Sequence, residues 1–377
     1  MEKTIRVLNI DEEGRFGGPE RRIVNVAEGI KSQNVETLVL LPLLDSEYFK
    51  DYATEKSVKF VEKDITRLSL EPKILFRYIY RFVYEVFIIV SVIRTYKPDL
   101  VHVNGAYQFK SILASRICNK KVVWHLNNQK ANVLVKFVFD IFYYLFKINF
   151  IYASQKAYSY FLAKKRFKKS IMKEIHAPID PEKYYFKKIR ENPMPIIIGT
   201  IINFSPQKDL ITLVEVVNKL RGKHSNFRVI VGGKRLDSQK KYIKKIDDLI
   251  RKYQLNDVFE FVGFVTDVPI FLRDLDIFIN TSAWEGSPTA VWEALASGTP
   301  SVSTDVGSTR YYLEELGGGL ICNVKDASCL SNQLSSLINS YNKRCSLAAS
   351  GKKIAESYLS LSHCCKLHSE IYNEIIN

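Results

Sequence analysis

Apolar and polar positions along this chain alternate in two successive cycles. Short apolar runs at 4–10, 37–41, 100–103, 121–126 and 150–153 have the length and β-branched content of buried strands. Between them apolar residues recur at helical spacing, as with Ile23, Val26, Ala27 and Ile30. The second half repeats the pattern, with strands expected at 196–201, 227–231, 259–262, 277–280, 301–303 and 319–321. Such alternation predicts an α/β chain of two doubly wound, parallel-sheet domains. The charged, proline-bearing stretch 186–195 marks the junction. Domains are therefore expected at 1–187 and 188–358, with 359–377 a C-terminal helix returning to the first.

Polar and glycine residues gather where strands end: Asn104, His125 to Asn127, Ser154, Asn203, Gly232-Gly233, Thr281 to Glu285, and Thr304-Asp305. In open α/β sheets, ligands bind beyond the carboxyl ends of strands. The densest such stretch is Glu285-Gly-Ser-Pro-Thr-Ala-Val-Trp-Glu293. Ser287 suits an N-cap and Pro288 the first helical position. Trp292, Leu295 and Ala296 keep helical spacing, and Gly298 with Pro300 ends the helix. Glu285 then stands at the helix mouth and Glu293 over a turn inside. A helix N-terminus offers N–H groups to an anion. Two hydroxyl-accepting carboxylates beside a phosphate seat suit a sugar joined to a nucleotide diphosphate. The spacing alone also fits a surface helix with two solvated glutamates; the strand–loop–helix context sets it apart.

This element resembles the paired-glutamate signature of the family 4 retaining glycosyltransferases, and the resemblance runs along most of the chain. Gly17-Gly18 resembles a loop that in the family closes near the donor phosphates and the acceptor; it does not match G-x-G-x-x-G. His125 resembles a strand-end histidine near the reacting sugar. Lys208, with Pro206, matches the family's Gly-Arg-Leu-x-Pro-x-Lys-Gly pattern, in which Arg and Lys grip the diphosphate. Ile202-Asn203 replaces Gly-Arg and Asp209 replaces the last glycine. Phe264-Val265 follows a Phe-x-Gly turn that in the family packs on the nucleotide base.

The resemblance implies a GT-B fold, two Rossmann-like domains facing across a deep cleft, and His125, Lys208 and Glu285 as catalytic residues. It implies donor contacts from Gly17, Gly18, Asn203, Lys208, Phe264, Val265, Glu285, Gly286, Ser287, Pro288, Thr289, Ala290 and Glu293. No cofactor or metal is expected. The D-x-D pair Asp274 and Asp276 falls at a helix–strand junction and reads as structural.

Charge changes the picture in the first half. The chain of 377 residues carries a net charge of +15, and 46% of it is hydrophobic. Residues 1–190 hold 34 Lys and Arg against 20 Asp and Glu, a balance of +14; the remainder is nearly neutral. An anionic partner of the first domain follows, either membrane or nucleic acid. Aromatic and basic residues interleave at 73–87, 135–150 and 164–173. The uncharged run 86–93 is far too short to span a bilayer. These segments could lie on a membrane surface or be core helices with charged outer faces.

Six cysteines show no metal spacing, adjacent Cys364-Cys365 makes no disulfide framework, and the N-terminus lacks a signal-peptide pattern. A reducing cytoplasm is expected, with the protein peripheral at the inner face of the membrane. The function implied is retaining transfer from a nucleotide-sugar to a lipid-linked saccharide in bacterial cell-surface polysaccharide or lipopolysaccharide assembly. Competing readings are a sugar-nucleotide epimerase of the same fold and a nucleic-acid-binding protein. No nucleic-acid motif is present, and no nucleic-acid partner is expected.

Overall fold

The computed structural model describes residues 4–163, 170–186, 188–235 and 237–377. The chain forms two compact units, Met1–Pro178 with Leu361–Asn377, and Ile179–Ser360.

In the first unit, seven strands form one sheet: β1 (Ile5–Ile10), β2 (Val35–Pro42), β3 (Phe60–Lys63), β4 (Leu100–Asn104), β5 (Lys121–Leu126), β6 (Asn149–Tyr152) and β7 (Met172–Glu174). Their order is β3-β2-β1-β4-β5-β6-β7 and every pairing is parallel. Central β1 carries Val7 opposite both Thr37 and Leu100. Such strands are covered on both faces and so read as continuous apolar runs.

One face is covered by the helices Pro72–Tyr96, Phe109–Ile117 and Val133–Leu145, through Val86, Ile89, Ile93, Phe109, Ile112 and Phe139. The other is covered by Gly18–Gly29 and the last helix, Leu361–Ile376, through Val26, Ile30, Cys365 and Ile371. The first and third helices of the first layer are apolar outside as well. Phe76, Ile79, Tyr80, Val83, Tyr84 and Phe87 form one stripe at helical spacing, each at least 60% exposed. Val133, Leu134, Phe137, Tyr144 and Leu145 form another. The charged outer faces of the core-helix reading are therefore not found. Of the basic run 164–173, residues 164–169 lie outside the described residues.

The second unit contains β8 (Ile196–Ile201), β9 (Phe227–Gly232), β10 (Phe259–Gly263), β11 (Ile277–Asn280), β12 (Ser301–Thr304) and β13 (Leu320–Cys322). They form a parallel sheet in the order β10-β9-β8-β11-β12-β13. The strand order reverses between β1 and β4 in the first sheet and between β8 and β11 in the second. Such switch points are where open α/β sheets hold ligands.

The unit boundary corrects the expected one. It falls after Pro178, because the Ile179 N–H donates to the Leu359 carbonyl at 2.9 Å. Phe186 packs so closely under Gly298 that a Cβ there would meet its ring at 2.5 Å. The returning segment begins at Leu361.

A second correction concerns the cysteines. Cys322 at the end of β13 is joined to Cys329 in the helix Ala327–Ile338 by a disulfide. The strand–turn–helix path brings two thiols together at a spacing that carries no metal or framework signature.

Asp209 shows why a departure from the glycine pattern is tolerated. Its φ of 45° is left-handed, which aspartate accepts better than most residues. It also caps the helix Leu210–Arg221, accepting from the Thr212 N–H at 3.3 Å and the Thr212 hydroxyl at 2.7 Å.

Candidate active site

Beyond β8 and β11, the chain brings together two residues 77 positions apart in sequence. The Lys208 ammonium contacts Glu285 Oε1. Ser282 Oγ donates to the same oxygen at 2.8 Å, and Gln207 Nε2 lies 3.4 Å from Oε2. A carboxylate has about four lone-pair positions. Three are directed at protein donors, which fixes the side chain and leaves one for a ligand hydroxyl. Glu285 is buried and Lys208 half-buried.

The supporting layer is polar and satisfied. Ser282 Oγ lies 2.8 Å from Asn280 Oδ1, and Asn280 donates to Ser303 Oγ at 3.0 Å. Thr304 Oγ1 donates to the Ser282 carbonyl at 2.7 Å. The loop Glu285–Pro288 presses on the loop after β12. A Cβ on Gly307, whose φ is +57°, would lie 2.9 Å from the Gly286 carbonyl and 3.0 Å from Pro288. Only glycine permits this approach without strain. Ser282, Gln207 and Gly307 carried no signal of their own, although Ser282 lies in the strand-end run that contains Glu285.

The start of the next helix differs from expectation. It spans Thr289–Ala296, and Pro288, not Ser287, occupies the N-cap position. Ser287 Oγ accepts instead from Trp292 Nε1 at 3.0 Å. The N–H groups of Thr289, Val291 and Trp292 donate to the Ser287 and Pro288 carbonyls. Thr289 and Ala290 form the half-buried first turn, and Glu293 lies half-buried one turn on. With those three amides committed, Lys208 is the stronger candidate for holding an anion here.

Among the other expected contacts, Asn203 is exposed just after β8. Phe264 is 74% exposed, while Val265 packs against Gly232. Arg235, not singled out from the sequence, lies over the Phe261 and Phe204 rings at 4.6 and 5.3 Å. Asp276 is bound bidentately by Arg190 and accepts from the Ile197 N–H at 2.8 Å. Its oxygens are committed to structure.

In the first unit, Gly17 and Gly18 are exposed at the start of the helix Gly18–Gly29. His125 is not. It is fully buried one residue in from the end of β5, opposite Asn104. Arg22 Nη1 lies 2.5 Å from His125 Nδ1, and His102 Nε2 lies 3.2 Å from it. Tyr372 OH lies 2.6 Å from His102 Nδ1. This fits a neutral relay: Tyr372 donates to His102, and His102 and Arg22 both donate to His125. Burial holds both histidines well below the usual range, with Arg22 adding to the effect. The imidazole expected near a sugar is thus enclosed by Arg22 and His102 in this structure; beyond the strand Asn127 is half-buried and Asn128 exposed.

His102, His125 and His368 place ring nitrogens within 4.8 Å of one another. They do not suit a metal ion, because the buried Arg22 guanidinium already occupies one of those nitrogens.

Two parallel-sheet Rossmann-like units, each with polar side chains collected at its switch point, define the GT-B class of fold. The chain matches the model described as glycosyl transferases group 1 over residues 182–354 and glycosyltransferase family 4 over residues 16–183. It belongs to the group 1, family 4-type glycosyltransferases. Among curated relatives is the lipopolysaccharide core biosynthesis mannosyltransferase LpsB of Rhizobium meliloti. It is 29% identical over 122 residues, 32% of this chain and 35% of that protein. Another is the UDP-Gal:alpha-D-GlcNAc-diphosphoundecaprenol alpha-1,3-galactosyltransferase of Escherichia coli, 27% identical over 31% of this chain and 30% of that protein. The chain spans less than two thirds of the length of these relatives. The crystal structure of Anabaena Alr3699/HepE in complex with UDP matches with a TM-score of 0.83 at 20% identity, covering 98% of this chain and 100% of that one. That likeness shows the fold.

Proposed function

We propose that this chain transfers a sugar from a nucleotide-diphosphate donor to a saccharide acceptor, with retention of the anomeric configuration. The observation that carries the reading is the meeting of Lys208 and Glu285 at the switch point of the second sheet. Cleaving the anomeric C–O bond leaves its electron pair on the diphosphate and cationic character on the sugar. Lys208 stands where the diphosphate charge would develop. Glu285, rigidly held with one open lone pair, accepts a sugar hydroxyl. No side chain is offered as a nucleophile; the acceptor oxygen attacks from the leaving-group face and its proton passes to the departing phosphate oxygen.

Glu293, on this reading, holds the ribose hydroxyls. Replacing it by alanine leaves those hydroxyls unpaired, and donor binding is expected to weaken by about 1–3 kcal/mol. Calorimetric titration with UDP measures this, and unchanged affinity would remove Glu293 from the site. UDP is the first probe because the Anabaena neighbour was crystallised with it. Asp276 is engaged by Arg190, so transfer is expected to proceed unchanged in EDTA. Activity abolished by EDTA and restored by Mn²⁺ or Mg²⁺ would contradict that.

The acceptor is a lipid-linked saccharide of bacterial cell-surface polysaccharide assembly, reached at an anionic membrane by the first unit. The two exposed apolar stripes support this beside the +14 balance of residues 1–190. Exposed apolar surface of that extent marks an interaction site, and aromatics with flanking Lys and Arg suit a lipid interface. An epimerase or a nucleic-acid-binding protein would have no use for it. Among the described residues no helix is long and apolar enough to cross a membrane. Sedimentation should occur with phosphatidylglycerol vesicles more than with phosphatidylcholine vesicles. The combined change Phe76→Ser, Val83→Ser and Phe87→Ser is expected to weaken it by about tenfold or more. Equal sedimentation of the variant would exclude this face.

A further inference from the structure

One proton at the end of β11 faces two acceptors. The Ser282 hydroxyl oxygen lies 2.8 Å from Glu285 Oε1 and 2.8 Å from Asn280 Oδ1. A serine hydroxyl carries a single proton, so it can donate to only one of them at a time. Ser282 is fully buried, which leaves no water to take the other place. The Asn280 amide is held in this sense from its far side. Its Nδ2 donates to Ser303 Oγ at 3.0 Å, and the Ser303 proton is directed to the Thr304 carbonyl at 2.9 Å. The amide oxygen therefore faces Ser282, whose backbone N–H also points to it at 3.4 Å.

The backbone around this hydroxyl is fixed independently. Thr304 Oγ1 donates to the Ser282 carbonyl at 2.7 Å, and the Ala283 N–H donates to the Gln207 carbonyl at 2.8 Å. Thr281 Oγ1 lies 3.2 and 3.1 Å from the Lys208 and Asp209 carbonyls. Turning the Ser282 hydroxyl between its acceptors is then a rotation about Cβ–Oγ that moves no heavy atom. A carboxylate is the stronger acceptor, so the proton rests on Glu285 until another donor displaces it. A sugar carries hydroxyls on neighbouring carbons, and a carboxylate with one open lone pair accepts the first and strands the second. With Ser282 turned to Asn280, Glu285 has a free lone pair on each oxygen.

We infer that Ser282 is a positioning residue with two settings. Its hydroxyl holds Glu285 while the donor site is empty and turns to Asn280 when the transferred sugar binds, so that Glu285 receives two neighbouring hydroxyls. The inference rests on the donor-sugar reading of Glu285 and adds to it the residue pair that makes room for the second hydroxyl.

Calorimetry on the full chain tests this with UDP, UDP-glucose, UDP-galactose and UDP-N-acetylglucosamine, the tightest of the three UDP-sugars being carried through the variants. UDP reports the nucleotide alone, so the ratio of the UDP-sugar affinity to the UDP affinity isolates the sugar. Asn280→Leu removes the second acceptor and confines the proton to Glu285; the ratio is expected to fall about tenfold while UDP binding persists. Ser282→Ala removes the competing proton, and the ratio is expected to rise by about fivefold. Adding Ser282→Ala to Asn280→Leu should restore the ratio to that of Ser282→Ala alone, a rescue that a merely structural role would not produce. A ratio unchanged or lowered in Ser282→Ala would overturn the inference, as would a double variant weaker than Asn280→Leu. So would UDP binding with none of the three UDP-sugars bound. Should Asn280→Leu lose UDP binding through misfolding, Ser282→Ala decides alone. A wild-type chain that binds neither UDP nor any of the three UDP-sugars would instead overturn the donor reading beneath it.

Discussion

Lys208→Ala is expected to lower kcat by about 10²–10³-fold while changing UDP affinity by no more than about tenfold. The asymmetry comes from when the charge appears. The diphosphate gains its extra charge only as the anomeric bond breaks, so a cation fixed beside it stabilises the transition state more than the bound donor. Lys208 is suited to this because Glu285 orients its ammonium group, and Ser282 and Gln207 hold Glu285 in turn. Asn203 stands where the family pattern has a second cation, so the burden on Lys208 is correspondingly large. Steady-state kinetics with a nucleotide-sugar donor, together with calorimetry for UDP, separate the two quantities. A variant with near-normal kcat would show that the leaving group is stabilised elsewhere.

Lys110→Met is expected to destabilise the first unit by about 3–5 kcal/mol. The Lys110 side chain is wholly buried, with Nζ 2.5 Å from Glu85 Oε2, 3.4 Å from Glu12 Oε2 and 2.5 Å from the Thr66 carbonyl. Glu85, equally buried, also accepts from the Thr66 N–H and hydroxyl, each at 2.8 Å, and from Arg81 Nε at 3.1 Å. Methionine keeps the volume of lysine but takes the ammonium from buried Glu12 and leaves Glu85 with Arg81 as its cation. A second change, Glu85→Gln, should recover part of the loss because it removes one of those charges. Urea unfolding should show the first unit melting early in the single variant. An unchanged midpoint would mean that water or rearrangement satisfies the carboxylates.

What could be read from the sequence, and what could not, follows from burial and register. The central strands were legible because parallel strands covered on both faces are apolar throughout. The edge strands β3 and β7 were missed: Phe-Val-Glu-Lys and Met-Lys-Glu are half-buried and charged, as edges commonly are. Lys208 and Glu285 were legible as motif residues, but the contact between them depends on the sheet order that places β8 beside β11.

For His125, a strand-end position does not say whether a side chain lies inside the sheet or beyond it. It lies one residue inside the end of β5, as a buried member of the Arg22–His102 network.

The central claim is retaining transfer from a nucleotide-sugar, and the anomeric configuration of the product tests it most directly. The chain would be supplied with UDP-sugars of α configuration and a lipid-linked saccharide acceptor, and the product's anomeric proton coupling read by NMR. The expected result is a new glycosidic bond of α configuration, with no product from Lys208→Ala on the same timescale. A β-linked product, or consumption of the UDP-sugar to its epimer with no glycosidic bond formed, would contradict the claim.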